Sequence, residues 1–93
     1  MCIGIIKISL AIDWAFSLKD KRQAVKSITN KLKNKFNISI SEVDHHQYYN
    51  RALIAIVMVG KDKQYVEPKL HHIVKFIEQN RDVNLDGVDI EFY

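Results

Sequence analysis

The sequence predicts an α+β fold of the ferredoxin-like type: a βαββαβ sandwich with one four-stranded antiparallel sheet, strand order 4-1-3-2, and two helices on one face. Three observations predict it. The apolar period switches from two to about 3.6 and back, twice along the chain. Residues 52–59 are apolar on both faces, the pattern of a strand inside a sheet whose outer side is at least partly covered. A length of 93 residues allows one domain, 1–93, and little more.

Residues 3–12 alternate as a first strand. Ile6, Ile8, Leu10 and Ile12 form the richer, helix-facing row, and Ile3, Ile5, Lys7 and Ser9 point away. The chain leaves the strand through Asp13–Phe16, which carries Trp14. Ser17 is the expected N-cap of a first helix, with Asp20 three residues on in a capping-box arrangement. Val25, Ile28, Leu32 and Phe36 form its apolar stripe. The helix is expected to end near Phe36, with Asn37 in a left-handed cap.

Ile38, Ile40 and Val43 mark a second strand, and the slip of one residue between Ile40 and Val43 suggests a bulge. Asp44–Asn50 reads as a hairpin connection into the 52–59 strand. Either Leu53, Ala55 and Val57 or Ile54, Ile56 and Met58 lie on the open side of that strand. After a turn at Gly60–Lys63, Val66, Leu70, Ile73 and Ile77 define a second helix. Pro68 belongs near a first turn, which places the start near Tyr65; the end is near Asn80. Asp86-Gly87 is a turn signal, followed by a last strand with Val88, Ile90 and Phe92 on one face.

Composition bounds the function. With 47% apolar and 27% charged residues the chain is neither disordered nor collagen-like. One Cys excludes an internal disulfide framework and a multi-Cys metal cluster, so Cys2 reads as a free thiol. No apolar run approaches the 18 or so residues of a membrane span, and Met1–Leu10 lacks the basic flank and cleavage site of a signal peptide. The expected location is therefore cytoplasmic. The charge is uneven: residues 19–35 hold seven basic residues and one acid, whereas the remainder holds seven basic and ten acidic residues. A local basic segment on a mildly acidic body attracts polyanions without making the whole surface adhesive.

Ser17-Leu18-Lys19-Asp20-Lys21-Arg22, Asn37-Ile38-Ser39-Ile40-Ser41-Glu42 and the approach to Arg51 through Tyr49-Asn50 together resemble the YlxP-like family of small bacterial proteins of unknown function. The family pattern usually has Trp-Gln where this chain has Tyr49-Asn50, and often an Asp where it has Gln47. The resemblance covers essentially the whole chain. It implies a ferredoxin-like fold, and genes placed beside those for translation initiation and ribosome maturation imply work on RNA or ribosomes. It supplies no active site.

The candidate nucleic-acid contacts are Lys19, Lys21, Arg22, Lys26, Lys33 and Arg51, all expected on the surface, with Tyr48 and Tyr49 as stacking or packing groups. At about 100° per residue, Lys19, Arg22, Lys26 and Lys33 fall within about 60° of one another. Ile3, Ile5, Ala52, Ile54, Ile56 and Met58 offer none of the aromatic platforms of an RNA-recognition motif. His45-His46 and His71-His72 are adjacent pairs whose side chains diverge, so no metal or other cofactor is expected. A single carboxylate, Asp13, ends the first strand where Cas2-type nucleases hold a metal, and a metal-dependent nuclease acting as a homodimer is the alternative reading. A small-ligand regulatory module is a third. The leading expectation is a non-enzymatic RNA- or ribosome-binding module that pairs with itself through the open sheet face.

Overall fold

The computed structural model describes all residues, Met1–Tyr93. It is a ferredoxin-like βαββαβ sandwich: β1 (Cys2–Ala11), α1 (Leu18–Lys35), β2 (Ser39–Asp44), β3 (Arg51–Gly60), α2 (Lys63–Glu78) and β4 (Asn84–Phe92). The sheet order is β2-β3-β1-β4, and every neighbouring pair is antiparallel. Alternation in β1 sends Ile6, Ile8 and Leu10 inward, and Ile12 follows them. Across the ladder Ile6 faces Ile56 and Ile8 faces Ile54, which sends Ala52, Ile54, Ile56 and Met58 to the helix side. The open side of β3 is thus Arg51, Leu53, Ala55, Val57 and Val59, and it carries no aromatic ring. Core residues Ile28 and Leu32 of α1 and Val66, Leu70, Ile73 and Ile77 of α2 close over this row.

Two glycines let α2 approach the sheet. A Cβ on Gly4 would come within 2.6 Å of Val66 Cγ1 and 2.7 Å of Leu70 Cδ1, and one on Gly60 within 2.6 Å of Tyr65 Cδ1 and Val66 Cγ2. A side chain at either place would hold the helix off the sheet.

Three local expectations change. Asn37 is not left-handed: α1 ends on Phe36 in an extended conformation, whose N–H donates to Leu32 O. The left-handed residue is His45, φ 64°, in the β2–β3 loop. Asp62 caps α2 by accepting from Tyr65 N–H, so the helix begins at Lys63 and Pro68 falls in its second turn. Asp86-Gly87 is no turn between elements but a bulge inside β4: Ser9 pairs with Gly87 and Leu10 with Leu85, leaving Asp86 extra. The bulge expected in β2 is present at Val43, between Glu42 and Asp44.

Candidate nucleic-acid interface

Helix α1 begins on two reciprocal bonds. Ser17 Oγ accepts from Asp20 N–H at 3.1 Å, and Asp20 Oδ2 accepts from Phe16 N–H at 3.0 Å. This is the capping box with its returning bond moved one residue upstream. From there the buried line of the helix is Lys21, Ala24, Ile28 and Leu32, with Val25 and Phe36 partly covered beside it. The inward face is therefore turned from the one that Val25 would centre. Lys19, Arg22, Lys26 and Lys33 lie on the side away from it, and all four are exposed. None has a carboxylate within 4.0 Å; the protein's ion pairs are Lys21–Glu42 and His45–Asp44. Their charge is directed to solvent without internal compensation.

Lys21 does not belong to that surface. Its side chain is 1% exposed. Nζ donates to Glu42 Oε2 at 2.8 Å, to His45 O at 2.8 Å and to His46 O at 3.2 Å. All three ammonium protons are thus directed at acceptors inside the protein, which makes this burial tolerable and keeps the cation from reaching a phosphate. The ammonium instead ties α1 to the end of β2 and to the turn that follows. His46 Nε2, 3.2 Å from Glu42 O, adds a local link.

The turn leads to Tyr48, Tyr49 and Arg51. The Arg51 guanidinium lies 4.5 Å from the Tyr48 ring centroid, and the His45 ring meets the same ring edge-on at 5.5 Å. Tyr48 is therefore packed within its own loop, whereas Tyr49 is 46% exposed. Arg51 is exposed. The remaining basic residues of α1 diverge from the outer row. Lys31 is exposed, and Lys35 lies over Phe76 at 4.9 Å and Phe36 at 5.9 Å. With His72, Lys75, Phe76 and Gln79 it lines an open notch of about 190 Å³.

Asp13 is exposed, and its Oδ2 accepts from the Asn84 side-chain amide at 2.7 Å. His71 and His72 are exposed on α2, apart from His45 and His46 in the β2–β3 loop. No group of three His, Cys, Asp or Glu side chains is placed to hold a metal ion. No helix is long and apolar enough to cross a membrane.

Two aromatic residues near this region escape the charge pattern of the sequence. Phe16 is 84% exposed and Trp14 43%. The signal for Phe16 is nonetheless in the sequence. A hydrophobic residue just before an N-cap ordinarily packs on the fourth residue of its helix, and here that residue is Lys21.

Comparison with known proteins agrees with this architecture and leaves its chemistry open. The de novo designed protein Foldit4 superposes with a TM-score of 0.55 at 12% identity, covering 100% of this chain and 97% of the design. LarC2, the C-terminal domain of a cyclometallase involved in the synthesis of the NPN cofactor of lactate racemase, superposes at 0.50 and 10% identity, covering 100% of this chain and 55% of that one. At such identities both show the fold alone. In sequence, the chain is 34% identical over 76 residues to the uncharacterized protein YlxP of Bacillus subtilis (strain 168), covering 82% of this chain and 83% of that one. Residues 3–90 match the family described as "Protein of unknown function (DUF503)", and the chain belongs to that YlxP-like family.

Proposed function

We propose that this protein is a non-catalytic RNA-binding module of the cytoplasm, working on a ribosomal particle or another structured RNA. One observation carries the reading: Lys19, Arg22, Lys26 and Lys33 form an exposed row on α1 with no carboxylate within 4.0 Å of any of them. Such a row tracks a phosphate backbone by neutralising charge and releasing counterions. Arg51, held against Tyr48, adds a cation at the end of the molecule where α1 begins.

The open sheet face supports self-association. Ile3, Ile5, Leu53, Ala55, Val57 and Val59 make an apolar surface on β1 and β3. Lys7 and Asp89 share one row of it, so a two-fold pairing can set each lysine against the other copy's aspartate.

The test is RNA binding by the Lys26→Glu/Lys33→Glu variant over a range of salt concentrations. Both residues are exposed, so the fold should persist. Affinity should fall, and the slope of log affinity against log salt should flatten by about 1.5, the loss of two phosphate contacts. Unchanged affinity and slope would refute the reading.

A further inference from the structure

We infer that the end of the molecule where α1 begins is a base-stacking platform, and that the RNA it takes is unpaired rather than duplex. This deepens the reading above and rests on it.

Topology brings the parts together. Ala11 pairs with Arg51 in β3 and with Asn84 in β4, so the β1–α1, β2–β3 and α2–β4 connections emerge at one end of the sheet. Ile12 N–H donates to Asn50 O at 2.9 Å, joining the first two connections. The Trp14 indole N–H donates to Asp82 O at 2.8 Å, joining the first and third. Four aromatic side chains occupy this end, all substantially exposed: Phe16 at 84%, Tyr49 at 46%, Trp14 at 43% and Tyr48 at 39%. Burying a Phe side chain is worth roughly 1.5–3 kcal/mol, so a ring left this open in so small a protein forgoes a sizeable gain.

The display is built. Ala15, immediately before Phe16, is buried, and its N–H donates to Ile12 O at 3.1 Å. The Phe16 N–H is held by Asp20 Oδ2, and Ser17 after it is the N-cap. The backbone is fixed on both sides of a ring left 84% exposed, because the place where it would staple to the helix belongs to the inward-turned Lys21. Trp14 is oriented by its indole bond, and Tyr48 already carries Arg51 on its face. The free rings are therefore Phe16 and Tyr49.

The neighbouring charge selects the partner. Phe16 stands at the head of α1, and Lys19 and Arg22 follow within its first two turns, with Lys26 and Lys33 further along. Aromatic faces at the head of a phosphate-attracting row are the arrangement that holds single strands: bases stack on the rings while the backbone follows the cations. A duplex presents its phosphates but keeps its base faces stacked internally. It can use the row and not the rings.

The experiment compares binding of a labelled, unstructured uridine 12-mer and a 12-base-pair RNA duplex, across salt concentrations, by fluorescence anisotropy. Phe16→Ala and Tyr49→Ala should each weaken single-strand binding about 5- to 100-fold, the loss of one stacked base. The salt slope and duplex binding should be unchanged, and Phe16→Trp should restore affinity. A failure of stacking is distinct from a failure of the basic row. If both alanine variants bind the single strand like wild type while Lys26→Glu/Lys33→Glu flattens the slope, the platform is refuted and the row stands. If the aromatic variants lose binding and the charge reversal does not, the platform stands without the row. Tighter wild-type binding to duplex than to single strand refutes the platform. Binding of neither RNA refutes both and leaves the exposed rings to a protein partner.

Discussion

Replacing Lys21 with Met tests whether the buried ammonium holds α1 to the β2–β3 turn. The substitution keeps most of the aliphatic stem and removes the donor that Glu42, His45 O and His46 O share. Removing one partner of a buried pair typically costs about 3–5 kcal/mol, because the other charge is left unpaired. Here Glu42 retains 17% exposure, and the two carbonyls belong to a surface turn that water can reach. The expected loss is therefore about 2–4 kcal/mol, a large share of the stability of a small domain. With a urea dependence of about 1–1.5 kcal/mol per molar for a chain of this size, the unfolding midpoint should fall by about 2 M. Lys21→Met/Glu42→Leu should recover much of the loss, since replacing both charges with apolar groups leaves no unpaired charge, and the two carbonyls that lose their donor lie in a turn open to water. Urea unfolding followed by circular dichroism, run as a double-mutant cycle, measures both effects. A single variant within 0.5 kcal/mol of wild type, or a double variant no better than the single, would refute the assignment of Lys21 as a structural clip.

Gly4→Ala should cost about 1–3 kcal/mol, because its Cβ meets Val66 and Leu70 at 2.6 and 2.7 Å, whereas Gly87→Ala, 3.7 Å from Ser9 Cβ, should be neutral or slightly stabilising; denaturant midpoints separate the two. The Tyr93 hydroxyl donates to Glu91 Oε2 at 2.6 Å, and that bond, with the carboxylate's charge, raises the phenol's pKa by disfavouring phenolate. Glu91→Gln should move the Tyr93 transition to lower pH in an ultraviolet titration, and an unmoved transition would contradict the contact. Ile5 faces solvent in a row with Val57 and Glu91, so Ile5→Lys gains an acidic neighbour and should stay folded. In analytical ultracentrifugation it should be monomeric where the wild type dimerises; a wild type that is monomeric at high micromolar concentration excludes the sheet-face pair.

Much of the frame is legible because period and capping are local. The alternation of β1, the two-sided run of β3 and the Ser17 cap need no knowledge of partners. The misreadings concern residues whose meaning depends on a distant element. Lys21 occupies an inward position, three, four and four residues from the next along Lys21, Ala24, Ile28 and Leu32, but only Glu42 and the β2–β3 turn make that burial tolerable. Asp86-Gly87 has the chemistry of a turn, and the continuation of the β1 ladder to Asn84 makes it a bulge instead. For the surface, clustered lysines show plainly in sequence, whereas the exposed ring of Phe16 shows only through the lysine that stands at its staple position, Lys21. An aromatic beside a helix start normally packs, and this one is freed by the same burial of Lys21.

The glycines under α2 divide the molecule into unequal halves. Helix α2 packs on β1, β3 and β4, sunk over Gly4 and Gly60, while α1 stands farther from the sheet: its backbone comes nearest to β2, a six-residue edge strand, and only its side chains Ala24, Ile28 and Leu32 reach the common core. Deuterium should therefore enter in two stages. Amides of β1 and α2, and those of β3 that bond to β1, exchange only when the whole chain unfolds, whereas α1 and β2 can part from the rest in a smaller, less costly opening that also frees the β3 amides paired with β2. The half that opens first carries the basic row, so a ligand bound along it would slow exchange there and leave the α2 half as it was.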